Sequence, residues 1–225
     1  MRKTCIFTLL LVVAFGLATA GVAEANLLSN PGFEVPIGDN TDPDVWWGLR
    51  QYPNETDVVM KNSTAQAYSG SQSGRITMTA STPGGDQNLW AGYGQQIDVT
   101  AGQPVFASAW VKSTDAYGTQ AKLQLEFKDI MGNEINRTYD TSPVNQTFDW
   151  TLLEIDGVVA PAGTQSVLVN LLIEKGAGAA HGEYFWDDAS LDVVPEPSSL
   201  LLLGSGLMGL LGISRKRKQA QVALR

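Results

Sequence analysis

The middle of the chain alternates hydrophobic and polar residues with a period of two. In 121–129 and in 165–175, leucine, valine, isoleucine and phenylalanine occupy every second position, and 74–80 and 104–112 repeat the pattern. Successive side chains of a strand point to opposite faces, so each segment predicts a β-strand. Turn signals rich in Gly and Pro separate these segments, and no window carries a helical stripe. The pattern predicts an all-β fold, an antiparallel β-sandwich of jelly-roll type.

The two ends of the chain break this pattern. At the N-terminus, basic Arg2 and Lys3 precede an apolar run over 6–20, and Ala23-Glu24-Ala25 then places small residues where a signal peptidase reads. This order is typical of a secretory signal peptide cleaved after Ala25. An uncleaved membrane anchor is the alternative, although the run is short for a bilayer span of ~20 residues.

The C-terminal end has three parts in a fixed order. Pro195-Glu196-Pro197 is followed by an apolar stretch to Ile213 and by the basic cluster 215–218. An apolar stretch closed by basic residues is a stop-transfer element that keeps the upstream domain outside the cell. An ordinary single-span tail anchor is the alternative. The chain thus divides into a signal peptide (1–25), a β domain (26–194), a sorting segment (195–218) and a short tail (219–225).

These three parts resemble the PEP-CTERM sorting signal. The resemblance implies recognition of Pro195, Glu196 and Pro197 by an exosortase in the membrane of a Gram-negative bacterium. It further implies an exported protein that is first anchored in the membrane through its C-terminus and then reaches the cell surface or the extracellular matrix. Proteins with this signal are associated with exopolysaccharide and biofilm.

Composition narrows the class of partner. Segment 26–194 has 8 Lys and Arg residues against 21 Asp and Glu residues, hence a net charge of −13. Such a surface repels phosphate backbones, so nucleic acid is excluded as a partner, whereas a neutral polymer or divalent cations are favoured. The single cysteine, Cys5, lies in the predicted signal peptide, so the exported domain has no disulfide.

Six short motifs of the β domain, in their order along the chain, resemble the galactose-binding-like jelly roll of carbohydrate-binding modules of the family 4/9/22 type. They are the opening segment 26–34, Ser73 to Ile76, Gly94 to Val99, Ala109 to Lys112, Phe148 to Trp150 and the closing segment 184–191. The resemblance covers nearly all of 26–194 and implies both the sandwich and a polysaccharide ligand.

The same resemblance implies a structural calcium where the first and last strands meet. The matching positions are the carboxylates of Glu34 and Asp187 and the backbone carbonyls of Gly32 and Gly74. Calcium takes six to eight oxygen ligands, and it would relieve the repulsion between two acidic groups brought together from opposite ends of the chain. Asp187 is favoured over Asp188 because it shares the parity of Ala189 and Leu191, which are expected to point inward. Two solvated aspartates beside a turn are the alternative.

Aromatic side chains are the candidate sugar contacts, because their rings offer amphipathic contact area. Trp90 and Tyr93 are expected in an exposed loop after 83–85, and at most one of the adjacent Trp46 and Trp47 can be core, which leaves Trp47 as a candidate. Trp110 either lines an open concave face or packs beneath a loop.

Catalysis is not expected. The only histidine, His181, lies in a glycine- and alanine-rich run, and no Gly-x-Ser-x-Gly nucleophile elbow is present. Two hypotheses remain for the domain. One is a module that binds a matrix or cell-surface polysaccharide, and the other is a structural or adhesive matrix protein without a defined sugar ligand.

Overall fold

The computed structural model describes residues 26–35, 46–50, 58–79, 89–175 and 180–194. The predicted signal peptide and the predicted sorting segment lie outside these residues. The described strands belong to one compact unit, Ala25–Val193. Within the described segments the secondary structure is extended strand and turn, and none of them contains a helix of the length and apolarity that a bilayer crossing requires.

In the described parts of the chain, ten strands form two five-stranded antiparallel sheets. Their bounds are β1 Trp47–Arg50, β2 Val58–Ser63, β3 Ser73–Met78, β4 Trp90–Asp98, β5 Pro104–Tyr117, β6 Thr119–Lys128, β7 Glu134–Thr141, β8 Phe148–Val159, β9 Ser166–Lys175 and β10 His181–Val193. The first sheet has the order β1-β4-β9-β6-β7, and the second has the order β2-β3-β10-β5-β8. The predicted all-β antiparallel sandwich is confirmed.

The core lies between the two sheets and is built by the alternation that the sequence shows. In the first sheet β6 and β9 bury Leu123, Leu125, Val169 and Leu171, while the residues between them face outward. In the second sheet the inward residues of β5 are small or β-branched, from Val105 to Val111, which lets the sheets approach closely. Burial of these side chains is the main stabilising contribution of the domain.

The N-terminal segment 26–35 closes the core and ties the two sheets together. Phe33 is fully buried, and its ring stacks on Trp46 with centroids 5.2 Å apart and contacts Tyr93 at 5.3 Å. Gln95 of β4 holds the same segment, since its side-chain amide accepts from Ser29 N at 3.0 Å and donates to Ser29 O at 2.6 Å. The opening motif of the sequence therefore acts as part of the core.

Candidate functional site

An open groove of about 400 Å³ runs over the outer face of the first sheet. Its lining comes from β1, β4, β6, β7 and β9, namely Leu49, Trp90, Lys122, Gln124, Glu126, Arg137, Leu168, Asn170, Leu172 and Glu174. From Leu168 to Glu174 the lining follows β9 over six residue steps, which is about 20 Å of strand. The groove is therefore elongated along the strands and fits a section of a chain polymer.

Two glycines of β4 shape the floor of this groove. Every second residue of β4 faces outward, namely Trp90, Gly92, Gly94 and Gln96. Two successive outward positions therefore carry no side chain. A Cβ at Gly92 would lie 2.0 Å from the carbonyl oxygen of Leu171, so the backbones approach closely there. At Gly94 the space beside the strand is filled by Leu49, and Asn170 Oδ1 lies 3.3 Å from the ideal Cβ position. Neither position has room for a side chain, so β4 contributes Trp90, at one end of the groove, to its lining.

Every charged side chain that lines the groove has a partner of opposite charge. Lys122 Nζ lies 3.0 Å from Glu174 Oε1, and Lys128 Nζ lies 2.7 Å from Glu126 Oε2. Arg137 pairs with Glu134 of its own strand, and this hydrogen bond raises the pKa of the Arg137 guanidinium further. The groove therefore offers compensated charges and amides, which suits a neutral ligand better than a polyanion.

Asn170 is the polar group at the groove floor whose hydrogen bonding is incomplete. Its side chain is 2 % exposed, and its Nδ2 donates to Glu126 Oε1 at 3.2 Å, a carboxylate oxygen that also accepts from Gln124 Nε2 at 2.7 Å. Asn170 Oδ1 is buried and has no hydrogen-bond partner in the protein. A buried acceptor without a donor is unfavourable, and the residue that carries it lines the groove.

Two of the four predicted sugar contacts share the outer face of the first sheet. Trp90 lines the groove, although it lies in β4 and not in the exposed loop that the sequence predicted. Trp47 is opposite Gly94 in the β1–β4 ladder and two residues before Leu49, so the strand alternation places it on the groove face. Its neighbour Trp46 is 1 % exposed and packs in the core.

The prediction of an exposed Tyr93 is wrong. Tyr93 lies in β4 and is fully buried, because a position three residues after Trp90 points to the opposite face of the strand. Its hydroxyl donates to the carbonyl oxygen of Arg75 at 2.6 Å. Burial raises the pKa of this phenol above its usual value, so the hydroxyl stays protonated as the donor.

Trp110 lies on the outer face of the second sheet, away from the groove. The ring of Tyr68 stacks on it with centroids 4.1 Å apart, and Trp150 meets Tyr68 edge-on at 5.7 Å. Of the two alternatives for Trp110, the structure shows packing beneath the loop between β2 and β3.

The predicted calcium ligands Glu34 and Asp187 contact the same five-residue segment, 68–72. Glu34 Oε1 accepts from the backbone N–H groups of Ser71 and Gln72 at 2.8 and 3.0 Å. Asp187 Oδ2 accepts from the N–H groups of Tyr68 and Ser69 at 2.7 and 3.2 Å. The opening motif and the closing strand thus meet at one short loop.

A β-bulge places Asp187, and the simple alternation that favoured it does not hold there. Asp187 pairs with Trp110 and Ser190 pairs with Ser108, with a register shift between them, and Asp188 has a φ of 42°. Trp186 and Ala189 are both core, so Asp187 points to the outer face of the second sheet, where the 68–72 segment buries it completely. The bulge re-aims one carboxylate without interrupting the core.

The electrostatics of the two carboxylates differ. Burial raises the pKa of Asp187, against the lowering effect of its backbone hydrogen bonds, and the neighbouring Asp188 adds to the increase. Hydrogen bonds from Ser71 and Gln72 lower the pKa of the exposed Glu34 carboxyl. Among the described residues, no lysine, arginine or histidine forms an ion pair with either group. Asp187 is therefore a buried acid that lacks a cationic partner there.

Gly32 lies beside the carboxylates of Asp187 and Asp188, whereas Gly74 lies against the ring of Phe33. An ideal Cβ on Gly32 would lie 3.3 Å from Asp188 Oδ1 and 3.6 Å from Asp187 Oδ1, so the absent side chain leaves room beside two carboxylates. At Gly74 the same position is taken by the ring of Phe33, 2.7 Å away, which gives this glycine a packing role. In the described part of the chain, no three acidic or histidine side chains cluster closely enough to hold a metal by themselves. Backbone carbonyls would have to complete a calcium site, and the oxygen-only donors present fit that ion.

Most of the groove residues that the sequence did not single out are polar side chains on neighbouring strands, and the others are leucines. Gln124 and Asn170 lie opposite each other in the β6–β9 ladder, and Arg137 and Glu126 are opposite in the β6–β7 ladder. Their signal in the sequence is only that they occupy the polar phase of an alternating strand. The predicted sorting residues Pro195, Glu196 and Pro197 lie outside the described residues.

Comparison with known proteins identifies the C-terminal segment. Residues 193–218 match the PEP-CTERM protein-sorting motif, which indicates an exported protein that is sorted through a C-terminal signal. A search of curated proteins found no match.

Solved structures share the fold of the described strands. The enzymatically active domain of tailspike protein 4 from bacteriophage CBA120 is 17% identical with a TM-score of 0.52, over 75% of this chain and 21% of that one. The CBM22-1–GH10 modules of Clostridium thermocellum xylanase 10B, solved with xylohexaose, are 17% identical with a TM-score of 0.51, over 76% of this chain and 29% of theirs. The CBM22-1 xylan-binding domain from Paenibacillus barcinonensis is 22% identical with a TM-score of 0.49, over 79% of this chain and 99% of that domain.

This chain spans less than a third of the tailspike and xylanase chains, so the likeness concerns one module of each. The protein therefore carries a PEP-CTERM sorting motif behind a β-sandwich, and carbohydrate-binding modules are among the structural neighbours of that sandwich.

Proposed function

We propose that the domain binds a neutral polysaccharide in the groove on the outer face of the first sheet and performs no catalysis. The observation that carries this proposal is that one groove is lined both by Trp90, an aromatic side chain at its end, and by Asn170, an amide whose Oδ1 has no hydrogen-bond partner in the protein. Sugar rings present apolar faces to aromatic side chains and hydroxyls to amides, so both features suit the same ligand.

The charges of the groove support a binding role over a hydrolytic one. Glycoside hydrolysis uses two carboxyl groups that face the same bond, one of them free to give a proton. Here Glu126 and Glu174 are each held by a lysine, and the strand positions place them at different ends of the groove. His181 belongs to the second sheet, where it hydrogen-bonds to Asp115 at 2.7 Å and stacks on Tyr117, and it is not one of the residues that line the groove.

The test of this function is a glycan array probed with the intact chain, followed by calorimetric titration of the best ligand. We expect binding to a neutral β-linked or α-linked chain of several sugars and weaker binding to its monosaccharide, because the groove extends along the strands. An array without any bound glycan would refute the proposal and would favour a structural matrix protein.

We further propose that the C-terminal segment anchors this domain at the outer side of the membrane until an exosortase recognises Pro195-Glu196-Pro197. The match to the sorting motif supports this sequence of events. The apolar stretch and the basic cluster after it suit a membrane-inserted segment with a cytoplasmic basic end. The released domain would then hold polysaccharide at the cell surface or in the extracellular matrix.

We also propose that calcium binds between Glu34, Asp187 and the 68–72 segment. The support is a buried carboxylate without a cationic partner among the described residues, beside the space that Gly32 leaves. A bound ion would supply the compensating charge and would hold the opening motif to the closing strand.

We expect calcium at about one hundred times its Kd to raise the melting temperature by roughly 5–10 °C over the chelator-treated protein. Glu34→Gln should remove most of this increase, because the neutral amide keeps the acceptor for Ser71 and Gln72 but loses a charged ligand. The matched control is Asp156→Asn, an exposed acid at the far end of β8, which should respond to calcium as the parent does. Scanning calorimetry with and without calcium gives the answer, and identical curves for the parent protein would contradict the site.

A further inference from the structure

The turn between β6 and β7 exposes two large hydrophobic side chains at its tip. Ile130 is 82 % exposed and Met131 is 83 % exposed, the highest values among the large hydrophobic residues that the structure describes. The turn is internally braced, because Asp129 Oδ1 accepts from the N–H groups of Met131 and Asn133, each at 2.8 Å, and Gly132 N donates to Asp129 O at 3.0 Å. The tip therefore presents apolar side chains on a fixed support.

The charges beside the tip are already compensated. Asp129 is the one charged residue of the turn, and its carboxylate serves the turn itself, including Asn133 Nδ2 at 3.1 Å. On the flanking strand ends, Lys128 pairs with Glu126 and Glu134 pairs with Arg137. Contact of the tip with an apolar medium would therefore leave these pairs intact.

This turn lies at the end of the sandwich where the chain leaves the domain. The last ladder residue of β10, Val193, pairs with Val105, and Val105 pairs with Val158 near the end of β8. The turn after β8 leads to β9 and contacts the end of β6, because its Gln165 N donates to Lys128 O at 2.9 Å. The β6–β7 tip and the exit of the chain are therefore at the same end.

The chain beyond the exit is short. Six residues, 194–199, separate Val193 from Leu200, where the apolar stretch begins. Seven peptide steps reach at most about 25 Å, so an inserted apolar stretch would keep this end of the domain near the lipid headgroups.

We propose that the Ile130–Met131 tip contacts the lipid surface of the membrane that holds the C-terminal segment. This inference rests on the proposed anchoring of that segment. The anchor supplies the binding to the membrane, and the tip fixes the orientation of the sandwich upon it. Exposed apolar side chains on a surface-bound element insert at the boundary of headgroups and acyl chains. The exit end then faces the lipid, and the turns at the opposite end of the sandwich point away from it.

The test uses the intact chain with Cys5→Ser, which removes the single cysteine, and a new cysteine for an environment-sensitive fluorophore. Met131→Cys places the label at the tip. Val144→Cys, in the turn after β7 at the opposite end and 51 % exposed, is the matched control. The protein is reconstituted into phosphatidylcholine vesicles that contain a doxyl-labelled lipid as the quencher. We expect roughly threefold stronger quenching at 131 than at 144, since only the tip reaches the acyl boundary.

Substitution of the neighbouring tip residue gives a second comparison. Ile130→Asp should remove the excess quenching at 131, whereas Ile130→Leu should keep it, and both variants should melt at the temperature of the parent because the side chain is exposed. Equal quenching at 131 and 144 in protein that sediments with the vesicles would refute the tip contact alone. Protein that does not sediment with vesicles would refute the anchor and, with it, the tip contact. Disulfide cross-links between two Met131→Cys chains in place of lipid quenching would assign the tip to a second copy of this chain and refute the lipid contact.

Discussion

Trp90→Ala is expected to weaken the affinity for the proposed polysaccharide ligand by about 30-fold, which corresponds to about 2 kcal/mol for the loss of an aromatic contact. Trp90 lines one end of the groove, so its ring is the apolar surface on which a sugar ring can pack. The side chain is half-buried at the surface of the sheet, so we expect its removal to change binding far more than folding. Calorimetric titration of the ligand found on the array measures the effect.

Trp110→Ala is the matched control for this change. It removes the same kind of side chain, but from the outer face of the second sheet, where Tyr68 covers the ring. We expect its affinity for the polysaccharide to equal that of the parent, although the loss of the stacked pair should lower the melting temperature. If Trp110→Ala weakened the binding and Trp90→Ala did not, the binding site would have to be assigned to the second sheet.

Phe33→Ala is expected to destabilise the domain by about 3–5 kcal/mol, as for other fully buried phenylalanines. For a domain of this size the melting temperature should fall by roughly 10 °C. The ring packs on Trp46 and Tyr93 and fills the position that a side chain at Gly74 would occupy, so no neighbour can close the cavity without moving a strand. Thermal unfolding followed by circular dichroism measures the change.

The control for Phe33 is Leu27→Ala in the same segment. Leu27 is 41 % exposed, and its backbone N–H donates to the carbonyl oxygen of Leu191. This bond survives the substitution, so the melting temperature should change by only a few degrees. A Phe33→Ala protein that melts with the parent would show that the opening segment is not part of the cooperative core.

The sequence predicted the fold because alternation is a local property. Leu123, Leu125 and Phe127 identify β6 as half-buried without any knowledge of its neighbours. The same reasoning separated Trp46 from Trp47, since adjacent strand residues point to opposite faces. It failed at Tyr93 because glycines at 92 and 94 resemble a loop, whereas here they belong to a strand.

The site was only partly predictable, because its parts meet through strand order and not through spacing. Asn170 and Gln124 become neighbours only when β6 and β9 are adjacent, and Trp90 joins them only because β4 flanks β9. The bulge at Asp187 was likewise hidden, because the sequence around it continues to look like an uninterrupted strand. Long-range pairing therefore decides which polar residues act together.

The strands that form the groove also carry half of the core, on alternate residues of the same backbone. Side chains on the outer face of β6 and β9 can consequently be exchanged, and the chemistry of the groove changed, while the packing between the sheets is left as it is. Deletion of a single residue early in β9 would have the contrary effect, because it shifts the register by one. Asn170 would then point into the core, Leu171 would point outward, and every later side chain of the strand would also change face. Substitutions on the outer face of this sheet are thus expected to leave the core intact, whereas an insertion or deletion is expected to be tolerated only in the connecting turns.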